Sequence, residues 1–552
     1  MGRKRKNRGN TVGHQLHRVE DPLTIKSSWF GDNIKWVSRH DANRNDSSLM
    51  KRNSASNNED EILGKSATSD PNNDHDLSIS GQGNKTSSSG INAKDIIDVP
   101  ATYQSLIFEL NQLKQQLMPA AQSCADAINN CNDNNRKATT PQHEFRQARS
   151  ICNPFENLGD LSIRPHRYNN SKRRRRKGSK SSSFLFVNRS AIKLANIDAL
   201  LGFVLTTPSR SNTKTTTLPG TDTSLKVDDS KYFAFVDLCG APGGFSEYIL
   251  YRHMNPLHNA DSHSAAGADI GDCDNDTISC FGFGMSLSGR NDEGKGVRWD
   301  LNHLREHFQL QSNDDLAANK DDNTTTQTSA FNTSEQVLHY YVCRGVDGTG
   351  TIYNWENVAE LQRQISMYLP REGHGSDAKN GNDTESTEQH QRVHLVVADG
   401  GFDAQRDSDN QEVLAHHIVV SQTAAALTLL RKGGIFIVKM FGFHEESTKR
   451  MLRYLYGCFY KMTFVKPISS RPASAERYLV CYGYDGVGSD WDGLAWKQQQ
   501  MELKPVEAEN TAHDCTPLDN LATQFDLDML KLNVENCRSI VDYLHKKRAA
   551  AE

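Results

Sequence analysis

Two lysines and two carboxylates stand in this chain where chemistry would sit, each at the end of a segment that reads as a helix or a strand. Lys193 lies in NRSAIKLANID, and Asp399 closes the apolar run VHLVVA just before Gly400-Gly401. Lys439 closes GGIFIVK, and Glu476 lies in ISSRPASAERYLVCYG, just before a further apolar run. Singly, each has a plain structural reading. A strand-end lysine snorkels to water, and an aspartate before two glycines caps a turn. A lysine closing an otherwise apolar strand is nevertheless costly to bury. Two ammonium groups balanced by two carboxylates form a set suited to taking a proton from a weakly acidic hydroxyl and holding the charge that develops.

A second candidate is the stretch FVDLCGAPGGFSEY, Phe235–Tyr248. An apolar run ends in a Gly-Ala-Pro-Gly-Gly turn and passes into helix-compatible Phe245–Arg252. Strand, glycine turn and helix N-terminus in that order mark the usual place for a nucleotide-like ligand on an α/β sheet. Gly243 and Gly244 let backbone approach a ligand closely, and Pro242 stiffens the turn. The turn is not GxGxxG and no GKS or GKT follows, so neither a dinucleotide fingerprint nor a P-loop is supported.

These residues need elements to hold them. Strands are expected at Phe233–Leu238, Ser279–Met285, Val393–Ala398, Gly434–Met440, Met462–Val465 and Tyr478–Tyr482. Helices are expected at Arg189–Leu205, Phe245–Arg252, Glu412–Arg431 and Glu445–Phe459. Alternating strands and helices of this kind imply an α/β fold, a mostly parallel sheet with helices on both faces. Polar spacers near 254–277, 311–335 and 371–391 read as surface insertions.

Composition bounds the rest. Of 552 residues only 36% are hydrophobic, and the net charge is −4. Long Asn-, Asp-, Ser- and Thr-rich stretches cannot bury enough apolar surface to offset their ordering entropy. Residues 1–183 are therefore expected to be largely disordered, with a helix at 100–127 on the spacing of Leu106, Leu110, Leu113 and Leu117. Trp29–Trp36 (WFGDNIKW) carries enough aromatic surface to dock on something. Residues 184–485 form the main domain, and 486–552 a polar tail with a helix at Phe525–His545.

Eleven cysteines occur without C-x-x-C pairs or Cys/His metal spacing, which suits free thiols and no bound metal. No apolar run approaches ~20 residues, so neither a membrane span nor a membrane partner is expected. The basic clusters Arg3–Arg8 and Lys172–Lys177 read as nuclear import signals or phosphate-binding patches; on the first reading the protein is expected in the nucleus.

Taken together, Lys193, Asp399, Lys439 and Glu476 make the chain resemble the FtsJ-like 2′-O-ribose methyltransferases, whose signature is a Lys-Asp-Lys-Glu tetrad. It is more similar still to the eukaryotic mRNA cap methyltransferases acting on the first transcribed nucleotide. NRSAIKLANID, DLCGAPGGFSEY, GFGMSL (282–287), VVADGGFD and KPISSRPASAERYLVCYG carry that resemblance, which covers about 184–485.

The resemblance implies a Rossmann-like, seven-stranded methyltransferase fold and S-adenosylmethionine as the cofactor. It places that cofactor over Cys239, Gly240, Ala241, Pro242, Gly243, Gly244 and Phe245, with Asn188 as a further contact. DGTGTIYNWENV (347–358) resembles a family loop with an acidic cofactor contact, but Thr351 stands where the acid is expected. The implied substrate is m7G-capped mRNA, held by phosphate contacts for which Arg189, Lys466 and Arg471 are candidates.

Within the tetrad, Lys439 is expected as general base because a neighbouring lysine and partial desolvation lower its pKa. Lys193 would steady the oxygen's developing charge, while Asp399 and Glu476 orient the two ammonium groups. Ribosomal or transfer RNA as substrate, or an inactive RNA-binding relative, are the alternatives. Attachment to transcription or capping machinery would have to use the flanks.

Overall fold

A computed structural model describes residues 23–39, 99–131, 138–153, 155–156, 186–206, 232–255, 279–287, 299–301, 311–312, 338–370, 391–401, 410–502 and 514–552. The strands are β1 (Val37–Ser38), β2 (Tyr232–Leu238), β3 (Ser279–Met285), β4 (Gln311–Ser312), β5 (Leu338–Cys343), β6 (Val393–Ala398), β7 (Leu430–Met440), β8 (Phe459–Val465) and β9 (Arg477–Tyr484). The helices, numbered α1 to α9 in chain order, are Val99–Asn130, Pro141–Cys152, Arg189–Leu200, Gly244–Met254, Trp355–Tyr368, Gln411–Leu429, Glu446–Cys458, Gly493–Met501 and Thr516–Ala549.

The strands form one sheet in the order β1-β8-β9-β7-β6-β2-β3-β5-β4. Strands β4, β5, β3, β2, β6 and β7 run parallel. Strand β9 enters antiparallel between β7 and β8, and β1 pairs antiparallel with β8. The seven strands that the resemblance implies are too few; of the seven longer ones, six were expected by position and β5 was not. Two two-residue edge strands bring the described sheet to nine, one of them (β4) inside the stretch read as an insertion.

From β2 the chain builds outward through β3 to β5, then crosses to β6 on the other side of β2. The order therefore reverses at β2/β6, and a crevice opens beyond the carboxyl ends of those strands, where open α/β sheets bind their ligands.

Burial explains the strands. All seven residues of β2 (YFAFVDL) are buried, as a parallel strand covered on both faces requires. On one face of the sheet Val236 shares a core with Val396, Phe436 and Leu479, and on the other Phe235 shares one with Val397, Ile437 and Val480. Each such side chain contributes ~1.5–3 kcal/mol over leaving it exposed. Helix α7 shows the helical period, burying Thr448, Met451, Leu452, Leu455 and Tyr456.

Strand β5 (LHYYVC) was not expected. Its aromatic residues and His339 hide the apolar pattern, yet His339 stacks on Phe281 at 4.4 Å and burial pushes its pKa down to about 4, so it enters the core neutral.

The flanks add structure to the domain. Trp29 and Trp36, expected to dock on something, dock on the sheet domain itself. Trp29 Nε1 donates to Ser470 O at 2.9 Å, and Lys461 Nζ lies 4.2 Å from the centre of a Trp36 ring. The expected helix at 100–127 runs Val99–Asn130, and α2 follows it unforeseen. The expected tail helix runs Thr516–Ala549 and does not trail into solvent. Its first half adds Leu518, Ala522, Phe525 and Met529 to the main core, and its second half packs Val534, Cys537, Ile540 and Leu544 against α1 and α2.

The described cysteines are all free thiols. No described helix is long and apolar enough to cross a membrane. The basic clusters and most of the three spacers lie outside the described residues.

Candidate active site

The glycine turn leaves β2 through Cys239, whose φ is 58°, and enters α4 through Gly243, whose φ is 109°. A Cβ on Gly243 would meet Leu301 at 2.9 Å and the Trp299 ring at 3.1 Å, so both backbone angle and space demand glycine there. Trp299-Asp300-Leu301 closes over the turn, with Asp300 N donating to Pro242 O at 2.8 Å. Asn188 caps α3 by accepting from Ser190 N at 3.0 Å, and its Oδ1 sits 2.1 Å from where a Cβ on Gly244 would be. The two helix N-termini thus face one another across the turn.

The N-cap residue of α4, Gly243, has no side chain to cap the helix, and of its first backbone N–H groups the one at Ser246 is taken by a carboxylate beneath the turn. Beneath the turn, Asp237 accepts from Ser246 N at 3.2 Å and Ser246 Oγ at 2.7 Å, while its Oδ1 is buried without a hydrogen-bond partner. Burial pushes the Asp237 carboxyl up to about 7.

The four chemistry-bearing residues meet at the carboxyl ends of β6 and β7. Lys193 Nζ donates to Glu476 Oε2 at 2.7 Å, and Lys439 Nζ donates to Asp399 O at 2.7 Å with Oδ1 at 3.2 Å. Their side chains keep only 11–16% of their surface exposed, enough for a substrate to reach and little enough to strengthen every charge interaction.

Desolvation works against the Lys193 ammonium, but Glu476 and then Asp399 outweigh it and hold it above the usual lysine value. Desolvation likewise opposes the Glu476 charge, and Lys193, Lys439 and Lys466 together hold its carboxyl well below the usual range.

Three further residues orient this set. Ser190 Oγ donates to Asp399 Oδ2 at 2.7 Å, Tyr478 OH donates to Asp399 Oδ1 at 2.9 Å, and Ser470 Oγ donates to Glu476 Oε1 at 2.8 Å. Two were within reach of sequence reasoning. Ser190 precedes Lys193 by one helical turn, and Tyr478 follows Glu476 by two residues at the start of β9. Ser470 needs the fold of the loop, and no spacing signals it.

The substrate candidates separate. Lys466 is buried, donating to Ser474 O at 2.7 Å and Glu476 O at 2.5 Å, and burial lowers its pKa to about 7. It supports the Glu476 loop from beneath and presents no ammonium to a phosphate. Arg189 and Arg471 come together with Arg149 of α2 around buried Glu156, at 3.7, 3.2 and 2.9 Å from its Oε1. Three guanidinium groups around one carboxylate leave net positive charge beside the tetrad.

Thr351 lies in the loop after β5, where Gly350 approaches the end of β3. A Cβ on Gly350 would stand 2.2 Å from Ser286 O. Thr351 Oγ1 accepts from Tyr353 N at 3.4 Å. The loop's organiser is Asp347, which accepts from Asn354, Thr349 and Asn357 and is held well below the usual carboxylate range by those bonds, Asn354 first.

Residues 186–284 and 336–484 match the family model described as FtsJ-like methyltransferase. The chain is 29% identical over 339 residues to the cap-specific mRNA (nucleoside-2'-O-)-methyltransferase 1 of Drosophila melanogaster, covering 61% of this chain and 29% of that one. It is 28% identical over 347 residues to the protein of that name from Homo sapiens, covering 63% and 29%. The chain therefore spans less than a third of the length of these curated relatives.

Proposed function

The chain carries an FtsJ-like methyltransferase domain, and on that premise we propose that it methylates the ribose 2′-oxygen of the first transcribed nucleotide of m7G-capped mRNA. The observation that carries this reading is the paired Lys193–Glu476 and Lys439–Asp399 arrangement beside the glycine turn.

The methyl donor we propose is S-adenosylmethionine, which when bound supplies an activated methyl group on a sulfonium sulfur. The residues fit it. The start of α4, where Gly243 supplies no capping side chain, suits its carboxylate, and the turn Cys239–Phe245 leads into it from the carboxyl end of β2. Asn188 and the Thr351 loop would flank it.

Lys439, in its neutral amine form and still reachable, would take the proton of the ribose hydroxyl, with Asp399 stabilising the ammonium that forms. Lys193, kept charged by Glu476, would steady the oxygen as negative charge grows. Asp399, fixed by Ser190 and Tyr478, would hold Lys439 in one orientation. Positioning supplies much of the acceleration in such a transfer. Arg189 and Arg471, with Arg149, would hold RNA phosphates, and the basic clusters support action in the nucleus.

The test is transfer from labelled S-adenosylmethionine to matched short RNAs, one m7G-capped and one with a 5′ triphosphate. Label confined to the first nucleotide of the capped RNA is expected. Equal labelling of both would point to another RNA substrate, and none, with cofactor bound, to an inactive relative.

A further inference from the structure

Asp526 lies on α9, far along the chain from the tetrad, and is buried. Its Oδ2 accepts from Phe443 N at 2.9 Å, and its Oδ1 accepts from the Arg477 guanidinium. These two partners flank the chemistry. Arg477 opens β9 directly after Glu476 and stands opposite Met440, the residue after Lys439. Phe443 lies in the loop that continues β7 beyond Lys439. The guanidinium also covers the Phe443 ring at 5.2 Å, and Arg477 Nε donates to Ala475 O at 3.0 Å. One carboxylate therefore grips both strand ends from which Lys439 and Glu476 project.

The same loop is held from its other side. Glu412 accepts from His444 N at 3.2 Å and Glu445 N at 3.0 Å, and Tyr103 of α1 stacks on His444 with ring centroids 4.5 Å apart. The helices contributed by the two flanks meet the sheet domain at this point.

We propose that Asp526 is a positioning residue for methyl transfer. Through Phe443 and Arg477 it sets the placement of Lys439 against Glu476 without touching substrate. The inference rests on the methyl-transfer reading above. A purely stabilising pair would behave differently. Replacing both partners of a buried ion pair by apolar side chains often leaves stability intact, whereas removing one partner strands a buried charge.

The experiment compares the wild-type chain with the double variant Arg477→Met/Asp526→Leu and with Asp526→Asn. It uses labelled S-adenosylmethionine and m7G-capped RNA, alongside thermal melting and cofactor affinity. The double variant, in which Phe443 N loses its acceptor, is expected to melt below wild type but to fold and bind cofactor normally, with kcat lowered about 10- to 100-fold, because misplacement of about 1 Å has that effect. Its KM for RNA should change little. A double variant that folds, binds cofactor and keeps wild-type kcat would overturn the proposal. Should the double variant not fold, Asp526→Asn, which keeps the volume and an acceptor for Phe443 N, is read the same way. A wild-type chain that transfers no methyl group would instead remove the underlying reading.

Discussion

Lys193, Lys439 and Lys466 all bear on Glu476, and that convergence shapes the residue-scale account. The two lysines with carboxylate partners are the two that stay reachable, whereas Lys466 is sealed in and spends its donors on carbonyls. Sequence reasoning could name all four tetrad members because Asp399 and Lys439 stand at strand ends, Glu476 just before a strand and Lys193 within a helix, each in a motif that carries the family resemblance. It could not separate Lys466 from a surface lysine, because only the fold of the 466–476 loop decides which way that side chain goes.

Asp237 gives a prediction with a definite sign. Its pKa rises from 3.8 to about 7 on folding, so between those values the folded chain holds a proton that the unfolded chain releases. Stability from this group is present below pH 3.8 and is lost as pH rises to about 7. Asp237→Asn should flatten the fall in urea midpoint across that window. Asp198, pushed up to about 6 by burial, leaves part of the slope in place. An unchanged slope in the variant would count against the assignment.

At the scale of elements, apolar runs closed by a turn were legible. Strands β2, β3, β6 and β7 and the helices α3, α4, α6 and α7 follow from period and punctuation. Strand β5 and helix α5 did not, because β5 mixes His339 with tyrosines and follows a long polar spacer. The antiparallel entry of β9 between β7 and β8 could not be read either, since pairing order leaves no local mark on sequence.

The turn between β2 and α4 is the element the cofactor reading depends on. Gly243→Val places a β-branched residue at φ 109° with its Cβ 2.9 Å from Leu301. Holding a side chain in such backbone costs ~1–3 kcal/mol, and relief would move the turn. Isothermal titration should show S-adenosylmethionine affinity reduced at least ~10-fold, since 1.4 kcal/mol is one decade. Wild-type affinity would show that the ligand sits elsewhere.

On the scale of the whole molecule, the chain's two flanks close on the domain between them. Residues 23–39 run from α3, where Asn196 Nδ2 donates to Ile25 O and Ser27 O, to β8, where Thr463 Oγ1 donates to Lys35 O. Helices α1 and α2 pack on α9 through Ala120, Cys124, Ala148, Ile540 and Leu544. Composition alone suggested a domain with loose ends, because low mean hydropathy averages over the short apolar stripes that do this packing. Glu156, gathering Arg149, Arg189 and Arg471, shows what that hides, since the flank carrying Arg149 reaches the edge of the tetrad.

In the proposed reaction this assembly brings Lys439 to a ribose hydroxyl as its base. The most direct measurement is single-turnover transfer to m7G-capped RNA by Lys439→Ala, beside its S-adenosylmethionine affinity. Transfer is expected to fall by about 10²–10⁴-fold, the usual contribution of a positioned base, with cofactor affinity close to wild type. Transfer at the wild-type rate, or lost only in step with cofactor affinity, would contradict it and return Lys439 to a structural role.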